Sequence, residues 1–467
     1  MNVSFDNLIL LSDSYKSSHF KQYPSGTSQI YSYFESRGST LSKDTVFFGL
    51  QYLLKHYLEG RVIDGLLIQE AEQIAKLHGI PFNKEGWQYI LLNHGGTLPV
   101  KIRAVPEGMI VPTNNVLMTV ENTDPKCYWL TNYLETLLSQ IWYSCTVATL
   151  SRQIKKTILK YLEETGDPSG IEFKLHDFGF RGVSSVESAA IGGAAHLINF
   201  KGTDTLVSLQ MIKNYYNEKD PQAYSIPAAS EHSTITSWGR ENELEAYENM
   251  LNQYPEGLVA CVSDSYNIYQ ACEQLWGTLL KEKVLKRNGT LVIRPDSGDP
   301  VTTVCDVLEI LTRKFGYTVN AKGYKVLPPQ VRVIQGDGVN KDSIEEILKT
   351  MRIQGYSSDN VGFGMGGALL QKLHRDSFNF AFKCSSAIVN GQQRDVYKEP
   401  IGSTTKQSKR GKLALVNSMQ GITTVCGKEE NPEDILRTVF ENGELLINDS
   451  FSTIRQRASL TMQLVKE

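Results

Sequence analysis

No C-x-x-C pair occurs in this 467-residue sequence, and its seven cysteines (Cys127, Cys145, Cys261, Cys272, Cys305, Cys384, Cys426) are odd in number. That argues against a disulfide framework and a zinc site, and it suits a reducing compartment. No apolar run approaches the roughly 18 residues that a membrane span needs. The start, "MNVSFDNLILLSDSYKSSH", lacks a basic n-region, so no secretory signal is expected and a cytoplasmic protein is. Charge of one sign is missing too: 48 Lys and Arg against 51 Asp and Glu leave a net charge of −3. This excludes the clustered basic excess of a nucleic-acid binder. The one basic cluster, "KQSKRGK" from 406 to 412, reads in isolation as a solvated loop. Short repeats and low-complexity tracts are absent. What remains, 41% apolar and 21% charged residues, is the balance of a globular protein with a large core.

From about residue 170 a rhythm sets in. Short apolar runs end in polar turns containing Gly or Asp, and amphipathic helical patterns follow them. The runs are "IEFKLHDFGF", "LINFKGTD", "AYSIPAAS", "GLVACVSDS", "GTLVIRPDSG", "VRVIQGDG", "NVGFGMGG" and "FNFAFKCSS". Between them, Leu244, Tyr247, Leu251 and Tyr254 share one helical face, as do Ile344, Ile347, Leu348 and Met351. Strands alternating with helices predict βαβ units and a parallel sheet. Eight units favour a (β/α)8-type barrel, although a doubly wound open sheet gives the same local signal. The N-terminal third reads as short strands across "LPVKIRAVPEGMIVPTNNVLMTVENTDP", then a long helix from about Cys127 to Glu164. Near the C-terminus "KLALVNSMQGITTVCG" reads as a hairpin. The expected organisation is an α+β region over 1–165, an α/β barrel over 166–390, and a segment over 391–467 returning to a β-rich domain built from both ends.

In a barrel, chemistry gathers where strand C-termini meet the helices. The polar residues at those ends are His176, Asp177, Arg181, Asp204, Glu231, His232, Asp264, Arg294, Asp296 and Asp337, with glycines 362, 364, 366 and 367. A single aspartate after a strand is more often a helix N-cap than a catalyst; their convergence is what points to a site. "GFGMGGALLQKL" satisfies G-x-G-x-x-G at Gly362, Gly364 and Gly367. No acid follows at the roughly 20-residue spacing that a ribose-binding dinucleotide fold uses, so that reading is rejected. Glycines opening a helix still let backbone N–H groups approach a phosphate. In "RPDSGDP" an arginine suits phosphate or carboxylate, and an aspartate suits sugar hydroxyls; "QGDG" repeats the theme. A phosphorylated sugar would use all three.

The motifs "DSYKSSHFKQYP", "YSYFESR", "KLHDFGFRGVSS", "NFKGTDT", "EHSTITSW", "SDSYNIY", "IRPDSGDP", "VIQGDGV" and "FGMGGALLQKLHRD", colinear from about residue 8 onward, resemble the nicotinate/nicotinamide phosphoribosyltransferase family (type II phosphoribosyltransferases). The resemblance implies an irregular (β/α)8-type barrel with a second β-rich domain, working as a homodimer with active sites at the interface. The activity it implies joins nicotinamide to 5-phosphoribosyl 1-pyrophosphate (PRPP), with ATP as co-substrate and Mg2+ held mainly through substrate phosphates. Phe178 then stacks on the pyridine, with Tyr15 from the other subunit on the opposite face. Arg181 lies near ring and phosphate, and Asp204 accepts from the amide. Arg294, Asp296, Gly336, Asp337, Gly366 and Gly367 hold the phosphoribosyl group. Arg37, Arg375, Lys383, Lys398 and Lys406 converge on phosphates, which replaces the solvated-loop reading for part of the basic cluster. His232 is the residue phosphorylated from ATP, oriented by Asp264, with His176 nearby.

Departures from the family pattern are Phe180 for a tyrosine, Met365 for a small residue, Ala381 for a serine, and Ser230 as a one-residue insertion. The rival expectation is a nicotinate-using enzyme, against which Asp204 in "GTDT" argues by repelling a carboxylate. A non-catalytic signalling dimer is the other alternative, disfavoured by the retained polar set.

Overall fold

Residues 175 to 365 supply seven parallel strands: β1 (Leu175–Asp177), β2 (Gly202–Thr203), β3 (Ala228–Ala229), β4 (Glu256–Val262), β5 (Asn288–Arg294), β6 (Val331–Gln335) and β7 (Val361–Met365). In this computed structural model, which describes residues 7–399, 408–419, 421–427 and 431–459, they pair in the order β2-β1-β7-β6-β5-β4-β3. The sheet curls so that the first strand pairs with the last: Gly364 is opposite His176. Between β2 and β3 no ladder forms, and a single parallel bridge, Gly202 to Tyr224, stands there instead. The interior is apolar where Ala260, Val292 and Ile334 pack together, with Phe178 and Ile226 against them. Helices cover the outside. Ile344, Ile347, Leu348 and Met351 are all buried on the helix Lys341–Ile353. Leu251 and Tyr247 are buried on Glu243–Gln253, while Tyr254 caps that helix and is exposed.

The expected eighth strand, "FNFAFKCSS", is not in this sheet. The strand Phe380–Val389 instead pairs antiparallel with Thr27–Ser36. The reason is edge availability: β7 already has β6 on one side and β1 on the other, so no hydrogen-bonding edge remains there. The antiparallel sheet has seven strands, ordered 392–395, 380–389, 27–36, 116–122, 100–104, 437–441 and 444–445. Strands from both ends of the chain thus share it. Leu413–Ser418 and Gly421–Cys426 form the hairpin read from the sequence, as a separate two-stranded sheet.

The long helix is shorter than expected. It runs Ile141–Thr165, preceded by two four-residue helices that meet at Leu134, whose φ of −76° and ψ of −7° break the regular repeat. Two compact units result. One comprises Met1–Thr149, Ile212–Lys219 and His374–Glu467; the other comprises Leu150–Met211 and Asp220–Leu373. No helix among the described residues is long and apolar enough to cross a membrane.

Candidate active site

The ends of β1, β2, β5, β6 and β7 surround a cavity of about 900 Å³. Its floor is set by glycine. A Cβ on Gly364 would lie 1.9 Å from Cε2 of Phe178, and one on Gly336 would lie 3.7 Å from the same atom. Only bare backbone at the end of β7 lets the Phe178 ring lie there, and the Phe178 N–H donates to the Met365 carbonyl at 3.0 Å. Gly202 plays a similar part beneath it, since a Cβ would meet the His176 ring at 2.7 Å.

Around Phe178 the cavity is lined by Arg181, Asp204, Arg294, Asp296, Asp337 and Gly366, among others. Asp177, one residue before the ring, is fully buried. Its Oδ1 accepts from the Gly179 N–H at 2.7 Å, and burial pushes its carboxyl up to about 6. Burial likewise presses the His176 imidazole below its ordinary value, which keeps that ring neutral in the wall. Asp204 follows β2, where its N–H donates to the Asp177 carbonyl at 2.9 Å. The Asp204 side chain accepts from Ser225 at 2.5 Å.

A chain of polar contacts links the cavity to His232. The Arg294 guanidinium lies 3.4 Å from Asp296 Oδ2, and its Nε is buried without a hydrogen-bond partner. Asp296 Oδ2 lies 3.9 Å from His232 Nδ1, and His232 Nε2 lies 3.0 Å from Asp264 Oδ1. Asp264 is held in turn: its Oδ2 accepts from the Asp296 N–H at 3.1 Å and from Ser297 at 2.5 Å. The imidazole is about half exposed while the Asp264 side chain is only 4% exposed. Of the two ring nitrogens, Nε2 thus faces Asp264 and Nδ1 faces Asp296. Ser230 ties this loop to β4. Its N–H donates to the Ala260 carbonyl at 3.0 Å and its Oγ accepts from the Val262 N–H at 2.9 Å.

The expected cations lie in the other unit. Arg37, Arg375, Lys383 and Lys398 line a second cavity of about 540 Å³, with Glu135, Asp376 and Ala381 in its wall. Arg37 Nε donates to Glu35 at 2.8 Å, and its Nη2 is buried without a partner. Burial foremost, then the Arg37 and Arg375 guanidiniums, press the Lys383 ammonium below its ordinary value, against the opposing pull of Glu135. Tyr15 belongs to this unit and is 61% exposed. Lys406 lies outside the described residues. Among the described residues of its cluster, Lys409 pairs with Glu35, Lys412 lies 3.1 Å from Glu121, and the exposed Arg410 lies 2.9 Å from Glu399. Among the described residues, one group has ligand-type atoms close enough for a metal, His94, Asp124 and Cys127. There the His94 ring and the Tyr89 hydroxyl already bond Asp124 at 2.8 and 3.0 Å.

Ser225 and Ser297, which bond Asp204 and Asp264, emerge only from the fold, because hydroxyls at irregular spacing carry no sequence signal.

The chain matches the model of the nicotinate phosphoribosyltransferase (NAPRTase) family over residues 173–444. It also matches that of the nicotinamide phosphoribosyltransferase N-terminal domain over 7–102. It is 52% identical to nicotinamide phosphoribosyltransferase of Xanthomonas campestris pv. campestris (strain 8004), over 97% of this chain and 98% of that protein. The protein of the same name from Acinetobacter baylyi (strain ATCC 33305 / BD413 / ADP1) is 34% identical over 97% of each chain. Among solved structures, nicotinate-nucleotide pyrophosphorylase from Pyrococcus furiosus superposes with a TM-score of 0.60 at 15% identity, over 98% of this chain and 96% of that one. Human nicotinic acid phosphoribosyltransferase gives 0.56 at 15%, over 97% and 94%. These two share the fold.

Proposed function

This chain belongs to the nicotinate phosphoribosyltransferase family, and we propose that it condenses nicotinamide with PRPP to nicotinamide mononucleotide and pyrophosphate in NAD salvage. The observation that carries this reading is the shared cavity: an aromatic ring on a glycine floor and an amide-accepting Asp204 stand in the same space as Arg294, Asp296 and Asp337. A pyridine stacked on Phe178 gains roughly 1 kcal/mol beyond its buried area. Asp204 accepts from a carboxamide N–H and repels a carboxylate. Asp296 and Asp337 suit ribose hydroxyls, while Arg294 and the glycine-lined ends of β6 and β7 suit phosphate.

In the reaction, the C1–pyrophosphate bond of PRPP breaks as the pyridine nitrogen attacks C1 and pyrophosphate leaves with the bonding pair. Positioning and electrostatics supply the acceleration. For magnesium, the donor set fits an ion held chiefly by substrate phosphates. Asp296 and Asp337, which line the cavity, would hold it together with those phosphates. Bound there, magnesium neutralises phosphate charge. His232 is proposed to take the γ-phosphoryl group of ATP on Nδ1, with the P–O bond to ADP breaking as the N–P bond forms. Asp264 then holds Nε2–H and steadies the ring. The sheet is proposed as an irregular (β/α)8-type barrel, opened between β2 and β3. The enzyme is proposed as a cytoplasmic homodimer in which Tyr15, Arg37, Arg375, Lys383, Lys398 and Lys406 of a second copy reach the phosphates and the pyridine.

Product formation from nicotinamide or nicotinate with PRPP, with and without ATP, tests this. Nicotinamide is expected to be preferred and ATP to stimulate; nicotinate turnover at equal or better efficiency overturns the base assignment. His232→Ala is expected to abolish ATP stimulation while leaving ATP-independent synthesis, and unchanged stimulation overturns the phosphohistidine role.

A further inference from the structure

Of the eight residues in the short helix Ser14–Lys21, Lys16 alone is buried, at 4% exposed, while Tyr15 beside it is 61% exposed. A lysine is almost never buried without a partner, because its ammonium gives up water on the way in. Here the partner is Glu135, whose Oε2 lies 2.6 Å from Lys16 Nζ. The same ammonium stands 5.4 Å from the centre of the Tyr15 ring, and His19 meets that ring edge-on with the ring centres 5.0 Å apart. Hydrogen bonds clip the chain before and after this point to residues 128–136. The Tyr133 hydroxyl donates to the Ile9 carbonyl at 2.6 Å, Ser12 donates to the Tyr133 carbonyl at 2.9 Å, and Thr136 donates to Asp13 at 2.7 Å. Further on, the Tyr128 hydroxyl donates to the Phe20 carbonyl at 2.9 Å. Between these clips stands the Lys16–Glu135 pair.

Glu135 has a second set of neighbours. It opens the helix Glu135–Leu138 and lines the cationic cavity together with Arg37, Arg375 and Lys383. A carboxylate in that wall opposes a phosphate unless a cation neutralises it. Lys16 is such a cation, and it comes from the segment that carries Tyr15. Glu135 is thus shared between the cations of the cavity and the ammonium beside Tyr15. The sharing is visible at Lys383, where burial presses the ammonium below its ordinary value and Glu135 pulls it back up. A phosphate in the cavity satisfies those cations and leaves the carboxylate to Lys16.

We infer that Lys16 is a positioning residue: its ion pair with Glu135 holds Tyr15 in place, and phosphate in the cationic cavity strengthens that hold. This rests on the function proposed above, in which Tyr15 and these cations of one copy serve the same site. The consequence is that the two substrates assist each other. PRPP fixes the segment that carries the ring, and the base then meets a surface already ordered. By linkage the base tightens PRPP by the same factor.

The test is initial-rate kinetics with nicotinamide and PRPP both varied, on the unmodified enzyme, Lys16→Met, Glu135→Gln, Tyr15→Ala and the Tyr15→Ala/Lys16→Met double variant, with thermal denaturation alongside. In the unmodified enzyme, saturating PRPP is expected to tighten nicotinamide roughly fivefold or more, the scale of coupling between two sites. Lys16→Met keeps the apolar stem and removes the charge. It should bring that factor below about twofold and raise the nicotinamide KM at saturating PRPP roughly tenfold, the scale of one lost charge-assisted hydrogen bond. Its kcat should stay within about twofold. Added to Tyr15→Ala, Lys16→Met should change the nicotinamide KM by less than about twofold, because the ring it positions is gone. An unmodified enzyme that lacks the tightening overturns the inference, and so does a Lys16→Met enzyme that keeps it. A full Lys16→Met effect in the Tyr15→Ala background also overturns it, since Lys16 then acts on something other than the ring. If Lys16→Met proves unfolded, Glu135→Gln carries the same expectations and decides. If the unmodified enzyme turns over nicotinate instead, the base assignment has failed, and the same measurements with nicotinate decide the role of Lys16.

Discussion

The two cavities are built by opposite means. In the parallel-sheet unit, the functional groups follow strand ends at short chain distances, and backbone holds them: glycines under Phe178, an N–H on Asp264, a bridge beside Asp204. In the antiparallel unit, the charges come from positions as far apart as Arg37 and Lys398 and sit on side chains that crowd one another. The first arrangement is preorganised for a specific shape. The second is crowded with cations, and burial foremost presses the Lys383 ammonium there below its ordinary value.

Substitutions can break this contrast in descending order of effect. Arg294→Ala should lower kcat/KM for PRPP by roughly 10²–10³, the range for loss of one preorganised electrostatic partner; steady-state kinetics at saturating nicotinamide reads it. Gly364→Ala should displace the Phe178 ring, given the 1.9 Å approach of a Cβ, and raise the nicotinamide KM about 10²-fold with a smaller change for PRPP. A smaller change in the base KM than in the PRPP KM would show that the ring does not hold the base. Lys383→Ala should raise the KM for PRPP only about tenfold, with a steeper response at low salt, because neighbouring cations share its work. If it left the phosphate kinetics unchanged at every salt concentration, the cationic cavity would have no part in the reaction.

The smallest effect concerns the buried acids of the two units. Burial pushes Glu107 up to about 7 in one and Asp177 up to about 6 in the other. A folded-state pKa above the unfolded value means that the folded chain keeps a proton the unfolded chain has lost. The associated stability is therefore full below about pH 4 and is lost as pH rises through the folded value. Glu107→Gln keeps an oxygen for the Gln51 N–H, now bonded at 2.7 Å. It should raise the melting temperature by about 2–4 °C at pH 8 and leave it unchanged at pH 4. Equal shifts at both pH values would show that Glu107 does not titrate on folding.

Local pattern carried much of the parallel-sheet unit. The apolar runs from "IEFKLHDFGF" to "NVGFGMGG" are strands, and Asp264, Arg294, Asp296 and Asp337 stand at or beyond the ends of theirs. "FNFAFKCSS" misled because its apolar character marks a strand without naming its partner, and β7 had no edge to offer. Arg37, Arg375, Lys383 and Lys398 showed no spacing of their own; only family resemblance singled them out. Ser230 read only as an insertion because its hydrogen bonds to β4 are nowhere in the linear order.

By itself, then, the sequence determined the strand-and-helix alternation and the aspartates at strand ends, since each follows from interactions within a few residues along the chain. Tertiary structure alone decided that the parallel sheet has seven strands among the described residues, that glycines lie beneath the Phe178 ring, that His232 sets Nε2 against Asp264, and that Ser225 bonds Asp204. Those outcomes depend on which edges and acceptors are left unfilled when distant segments meet, and no local pattern encodes that.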